Sequence, residues 1–467
     1  MQVADIWTKS LFPGIIDYVI ILVYLMVMFM VAANIKNRKI LHNPVYRYYV
    51  WGLFASVLGA VAMGMIYTLY YREGGDTTAY YRSSEALVNL LFRNPAGYFR
   101  ILLGDQTPEA LSLFSRETGY PMYWGKSSSF AVVRFTSLIT LFGFKNYFTT
   151  TILFAWFFYG GYWKLYLLVT RLYPDYARSF AFGILFFPSV LFWGSGISKD
   201  AMALAATGWF VYAVYMIAVE KRHLLANGFV AVLTTYLILS VKAYIFVALL
   251  PAAFVWLAWN YIKRIDNPVV RTAAMPVSAA LFLAAGLGIL SAFSGLLGEY
   301  GSIDSIIRKA IITYEDHTRS VQYGYNFYSL GTFDGTRWNF FSKAPAAIMA
   351  GLFRPYLWEV RNPVMLLAAL ENTAFIIIVI IVLWRTGPIK MVKIAFDEPL
   401  VIFSLTFAIV FAFAVGISTA NFGALVRLKI PLIPFIAVGL FTLYNRSLEL
   451  KEEKAADTKK GMVFSDA

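Results

Sequence analysis

Apolar stretches of roughly 17–25 residues with little or no charge recur along this chain, and each is long enough to cross a hydrocarbon layer as a helix. They fall at 14–34, 49–70, 147–168, 179–197, 201–219, 225–241, 243–261, 273–296, 363–385, 399–418 and 430–446. The pattern predicts an all-α, polytopic transmembrane protein of about eleven spans. It forms one transmembrane domain over 1–446 and a polar tail over 447–467, expected to be disordered. No cleavable signal peptide is expected, because the first stretch is too long, lacks a basic region before it and is followed by a basic cluster.

Composition supports lipid as the solvent. Of 467 residues, 60% are hydrophobic and 14% charged, and a soluble domain of that size would need more charge on its surface. The net charge of +14 does not point to nucleic acid. Its basic residues lie in short clusters between apolar stretches, and no basic reader element is present. Cysteine is absent, which excludes disulfides, thiolate catalysis and zinc–thiolate sites. Three histidines exclude an imidazole-rich metal centre. No cofactor is indicated, and a divalent metal is the one left open.

The short connections set the orientation. Lys36, Arg38, Lys39, Arg47, Arg171, Arg178, Lys221, Arg222, Lys263, Arg264, Arg271, Arg385, Lys390, Lys393 and the basic tail all fall on one side, which is therefore cytoplasmic. The N-terminus is then outside and the C-terminus inside. Two long polar segments, about 71–146 and 298–362, form outer loops. Within the first, SSEALVNLLFRNPAGYFRILL reads as an interfacial amphipathic helix. Residues 128–143, apolar but short and carrying Arg134, read as re-entrant or interfacial. No internal repeat is evident.

Four polar clusters sit where this topology meets the outer interface. In the first, Gly74, Gly75, Asp76, Thr77 and Thr78 precede Arg82. Asp76 is a candidate base for an attacking hydroxyl, or else a helix cap. In the second, Ser195–Asp200 occupies a tight turn. Lys199 at a helix start suits a phosphate, and Asp200 is a second candidate carboxylate or an ordinary cap. The third runs FRPYLWEVR from Phe353. Arg354 offers a planar donor fork, Trp358 a stacking face and Glu359 a third carboxylate, although an aromatic belt accounts for Tyr356 and Trp358 equally well. Glu371 lies inside the ninth span and should face protein or water. In the fourth, Arg427 and Lys429 violate the short-loop charge bias, as does Lys242 between the sixth and seventh spans. Anion binding and snorkelling both explain such cations.

FPSVLFWGSGISKDA, FRPYLWEVRNPVMLLAALEN and NFGALVRLKIPLIPF resemble segments of bacterial surface-polysaccharide membrane proteins, the O-antigen and exopolysaccharide polymerases and the wider membrane-embedded C-type glycosyltransferases. The resemblance implies a transferase at the outer face of the bacterial cytoplasmic membrane, with a polyprenyl phosphate- or diphosphate-linked glycan as donor and a glycan as acceptor. Other polysaccharide-assembly proteins would be its partners, alongside membrane lipid. It implies Asp76 as the acidic residue of the first outer loop, and Arg354 and Arg427 as holders of the diphosphate. Substrate binding extends to Arg82, Lys199, Lys242, Trp358 and Lys429, with Asp200 and Glu359 as further catalytic candidates. A flippase or transporter, or a non-catalytic export scaffold, is the alternative.

Overall fold

The structure is a computed structural model that describes residues 10–71, 75–267, 269–270, 274, 288, 300–318 and 326–465. Among the described residues it is helical with no named strand. A lone bridge pairs Phe327 with Asn421. In chain order, α1 is Ile15–Lys39, α2 Tyr49–Met65, α3 Asp76–Arg93, α4 Pro95–Leu102, α5 Ser127–Phe142 and α6 Tyr147–Leu172. Next come α7 Ala177–Leu185, α8 Pro188–Trp193, α9 Lys199–Ala218, α10 Leu224–Ile262, α11 Ile303–His317 and α12 Arg337–Ser342. Last are α13 Ala344–Phe353, α14 Pro363–Thr386, α15 Pro388–Asp397, α16 Pro399–Ser418, α17 Phe422–Leu428 and α18 Ile433–Ser465.

Eight helices among the described residues are long and apolar enough to cross a membrane, which points to a membrane protein. Helices satisfy their own backbone donors and acceptors, the condition lipid imposes. The difference from eleven has three sources. The stretch 179–197 is not one helix: α7 ends at Leu185 and α8 begins at Pro188, whose ring and missing N–H interrupt the ladder. The stretch 273–296 lies, apart from Ala274 and Gly288, outside the described residues. The stretches 225–241 and 243–261 fall within the single 39-residue α10.

That third merger conceals a break. Lys242 has φ −148° and ψ 72°, far from helical values, and it stands between the two apolar stretches. Tyr261 donates its hydroxyl to the Ala218 carbonyl at 2.8 Å, six residues before α10 begins. The helix is kinked at Lys242.

The tail also departs from expectation. α18 continues to Ser465, through a run of Glu, Lys and Ala that favours helix. Lys451 donates to the Arg385 carbonyl at 2.9 Å. The stretch 128–143 falls on the 16-residue α5, shorter than a span and packed on α3, with Gly143 as its C-cap.

Contacts divide the chain into two compact units. The first is 1–168, 184–217 and 222–243; the second is 169–183, 218–221 and 244–467. In the first unit α6 and α9 meet backbone to backbone. A Cβ on Gly161 would lie 2.1 Å from the Ala205 carbonyl oxygen, and one on Gly208 2.3 Å from that of Gly161. In the second, α13 and α16 meet in the same way, with a Cβ on Gly416 1.9 Å from the Ala347 oxygen and one on Gly351 2.2 Å from that of Ala412. Small residues of this kind let helices approach where lipid provides no hydrophobic drive.

Candidate functional site

The predicted site residues fall into both units. Asp76, Arg82, Lys199, Asp200 and Lys242 belong to the first; Arg354, Trp358, Glu359, Arg427 and Lys429 belong to the second.

In the first unit, Asp76 opens α3 but does not cap it. The cap is Gly75, at φ +93°, a value that suits glycine, and a Cβ there would also strike the Tyr67 ring at 2.7 Å. Asp76 accepts a 2.8 Å hydrogen bond from the Tyr123 hydroxyl, and the Tyr123 ring packs on Tyr80 at 5.2 Å. Gly74 lies outside the described residues. One turn and a half along α3, half-buried Arg82 lies beside Glu85, and burial pulls its guanidinium below the ordinary value.

The tight turn ahead of α9 resolves into three roles. Ser198 caps the helix, its hydroxyl accepting from the Ala201 N–H at 3.1 Å, so the capping role expected of Asp200 belongs elsewhere. Lys199 reaches back to the Ser128 hydroxyl at 3.0 Å, in the first turn of α5. Asp200 is fully buried and accepts from the ammonium of Lys242, itself only 6% exposed. Lys242 therefore has a buried counter-ion, and both side chains lie inside the first unit.

In the second unit, Arg354 is held on three sides. Its Nε lies 3.3 Å from Glu359 Oε1, and its guanidinium stands 5.0 Å from the Tyr328 ring centre and 5.7 Å from that of Tyr356. The other Glu359 oxygen accepts the Tyr356 N–H at 2.9 Å, so both carboxylate oxygens are engaged. Tyr328 is fixed in turn by donating to the Gly416 carbonyl at 2.8 Å, and burial pushes its hydroxyl above the ordinary value. Trp358 is 81% exposed and stacks on Tyr356 at 4.7 Å and 19°.

Compared with protein families, curated proteins and solved structures, the chain matches none.

Lys429 sits beneath this platform. It is 2% exposed and donates to the Arg354 carbonyl at 3.1 Å and to the Asn372 side chain, while Asn372 donates to the Pro355 carbonyl at 3.1 Å. The buried ammonium thus holds the backbone that carries Arg354. Arg427 is half-buried in α17, whose first turn is capped by Asn421 accepting from the Ala424 N–H at 3.0 Å.

Tyr123, Tyr328 and Asn372 are not legible as site residues in the sequence. Each meets its partner across a long separation, and a tyrosine or asparagine in an aromatic-rich chain carries no local mark. Arg134 carries such a mark, a charge in an apolar helix. Its Nε and Nη2 are buried with no hydrogen-bond partner among the described residues, although its guanidinium stands 5.2 Å from the Phe130 ring centre. Among the described residues no three acidic or histidine side chains converge as metal ligands.

Proposed function

We propose that this chain is a membrane-embedded glycosyltransferase or polysaccharide polymerase that uses a polyprenyl phosphate- or diphosphate-linked sugar donor at the outer face of a bacterial cytoplasmic membrane, with the N-terminus outside and the C-terminus inside. The observation that carries the reading is the Arg354 platform. A guanidinium fixed by Glu359 and Tyr328 is pre-organised to meet a departing phosphate, and the neighbouring Tyr356–Trp358 stack offers an exposed aromatic face to a sugar ring or lipid headgroup. In the reaction, an acceptor hydroxyl oxygen bonds to the anomeric carbon, the bond from that carbon to the donor phosphate oxygen breaks, and the hydroxyl proton passes to a base. Asp76 is assigned that base role, with Tyr123 orienting its carboxylate. Within the second unit, Arg427 is assigned to the phosphate and Lys429 to positioning Arg354. The test is incubation of the purified protein with lipid-linked oligosaccharide and analysis of the glycan products; elongated or transferred glycan is the expected result.

One observation favours a second reading, a transporter for lipid-linked glycan. The buried Asp200–Lys242 pair lies among apolar helices, and charges in that setting often mark a transport path. Flux of fluorescent lipid-linked glycan across proteoliposomes, with no glycosidic bond formed, would decide for it.

A further inference from the structure

A cavity of about 210 Å³ opens in the first unit between the start of α1, the middle of α3 and the turn that leads into α6. Four charged side chains line it: Asp17, Arg82, Glu85 and Lys145. Two are anionic and two cationic, so their formal charges cancel. The carboxylates can only accept hydrogen bonds and the cations can only donate them. Tyr81, Phe144 and Tyr147 add aromatic surface to the wall.

The wall is built at a cost in backbone strain. Phe144 and Lys145 are consecutive non-glycine residues at φ +52° and +54°. Bulky side chains rarely occupy that region, and they stay there only where the surroundings over-determine them. The surroundings do so here. The Tyr81 hydroxyl donates to the Lys145 carbonyl at 2.5 Å, the Tyr24 hydroxyl to the Phe142 carbonyl at 2.6 Å, and Lys145 Nζ to Asn89 Oδ1 at 3.0 Å. Asn146 then caps α6 by accepting from the Thr149 N–H at 2.9 Å. A glycine at either strained position would have served a plain turn. Both residues line the cavity instead, with the Lys145 ammonium held by Asn89. Glu85 is 6% exposed, a buried carboxylate on the cavity wall.

We infer that this cavity binds a neutral saccharide ring. A balanced set of donors and acceptors suits hydroxyls, which do both, and gives no net pull on a phosphate. Aromatic faces suit the C–H side of a pyranose. At about 210 Å³ the cavity has room for one such ring. The inference deepens the glycan reading by assigning Arg82 to a sugar and not to a phosphate, and by adding Asp17, Glu85 and Lys145. It does not depend on transfer activity.

The test is saturation-transfer NMR on the purified full-length protein in nanodiscs, with methyl glycosides of neutral hexoses and N-acetylhexosamines as probes. At least one glycoside should receive saturation at its ring protons. Glu85→Gln and Lys145→Gly should each weaken that binding about tenfold or more, the loss of one charge-assisted hydrogen bond. Glycine accepts the positive φ at position 145, so that variant keeps the turn, and thermal unfolding run in parallel identifies any variant that has lost its fold. Saturation of no glycoside overturns the inference, as does binding that both folded variants leave unchanged. Displacement of the glycoside by inorganic phosphate or phosphoethanolamine also overturns it, in favour of a lipid headgroup. Glycoside binding without any transferase activity would retain this inference while removing the proposed reaction; transferase activity without glycoside binding would do the reverse.

Discussion

Lys242 interrupts α10 and places its ammonium on the carboxylate of Asp200, forty-two residues earlier, with both side chains buried. Two charges taken out of water gain enough from each other to persist, but neither tolerates being left alone. Asp200→Asn and Lys242→Met should each destabilise the protein by about 3–5 kcal/mol. The double variant, with no charge left, should recover much of that loss. Thermal unfolding of the four proteins in one detergent gives the coupling directly, and strictly additive losses would remove the pair from the account.

The helix contacts at Gly161 and Gly208 lead to a second expectation. A methyl at either position meets a carbonyl oxygen of the facing helix at 2.1 or 2.3 Å, and backbone cannot swing aside as a side chain could. Gly161→Ala and Gly208→Ala should therefore cost about 1–3 kcal/mol or more, by overpacking. At Gly228, in the first half of α10, an added methyl would meet nothing within 4 Å among the described residues. Gly228→Ala should instead add about 0.5–1 kcal/mol through helix propensity. Unfolding midpoints that move in the same direction for all three would refute the packing argument.

How far the sequence reveals this architecture depends on what each feature needs. Long apolar stretches such as Ile15–Lys39 and Pro399–Ser418 announce themselves, because length and composition alone make them long and apolar enough to cross a membrane. The break at Lys242 is visible too, as one charge between two apolar runs. The interruption at Pro188 is not, since apolar content continues through it while the backbone ladder stops. Side-chain roles divide in the same way. Arg354 and Glu359 lie close enough in sequence to be read together. The tie of Asp200 to Lys242, of Asp76 to Tyr123 and of Lys429 to Asn372 depends on tertiary packing that no local pattern encodes. That is why Asp200 reads as a cap and Lys429 as a phosphate ligand, whereas the structure gives the cap to Ser198 and sets Lys429 under the Arg354 backbone.

The Arg354 platform makes a prediction that separates binding from folding. Trp358 is largely exposed, so Trp358→Ala should change stability little, while it removes the aromatic face. Arg354→Ala removes charge-assisted bonds to phosphate, commonly worth about 1.5–3 kcal/mol, or roughly 10- to 100-fold in donor affinity. Arg354→Lys should recover only part, because an ammonium lacks the planar fork. Titration of purified protein with polyprenyl phosphate reads these losses. Wild-type affinity in folded Arg354→Ala protein would return Arg354 to the role of an interfacial anchor.

Asp76 offers the sharpest separation of chemistry from architecture. It stands in the first turn of α3, where a carboxylate gains from the helix dipole, and it accepts one hydrogen bond from Tyr123. Asn at this position keeps an oxygen for that bond and loses only the charge, so the structural cost should stay within about 1 kcal/mol. If Asp76 takes the proton in glycosyl transfer, the same change removes the acceptor and should slow turnover by about 10²–10⁴. Tyr123→Phe supplies the control, because it deletes the orienting hydroxyl and leaves the carboxylate in place; it should slow turnover by less than Asp76→Asn. The measurement is product formed from lipid-linked donor, with unfolding followed on the same samples. A stable Asp76→Asn protein that turns over at the wild-type rate would take Asp76 out of the mechanism and leave its carboxylate as a helix-terminal partner of Tyr123.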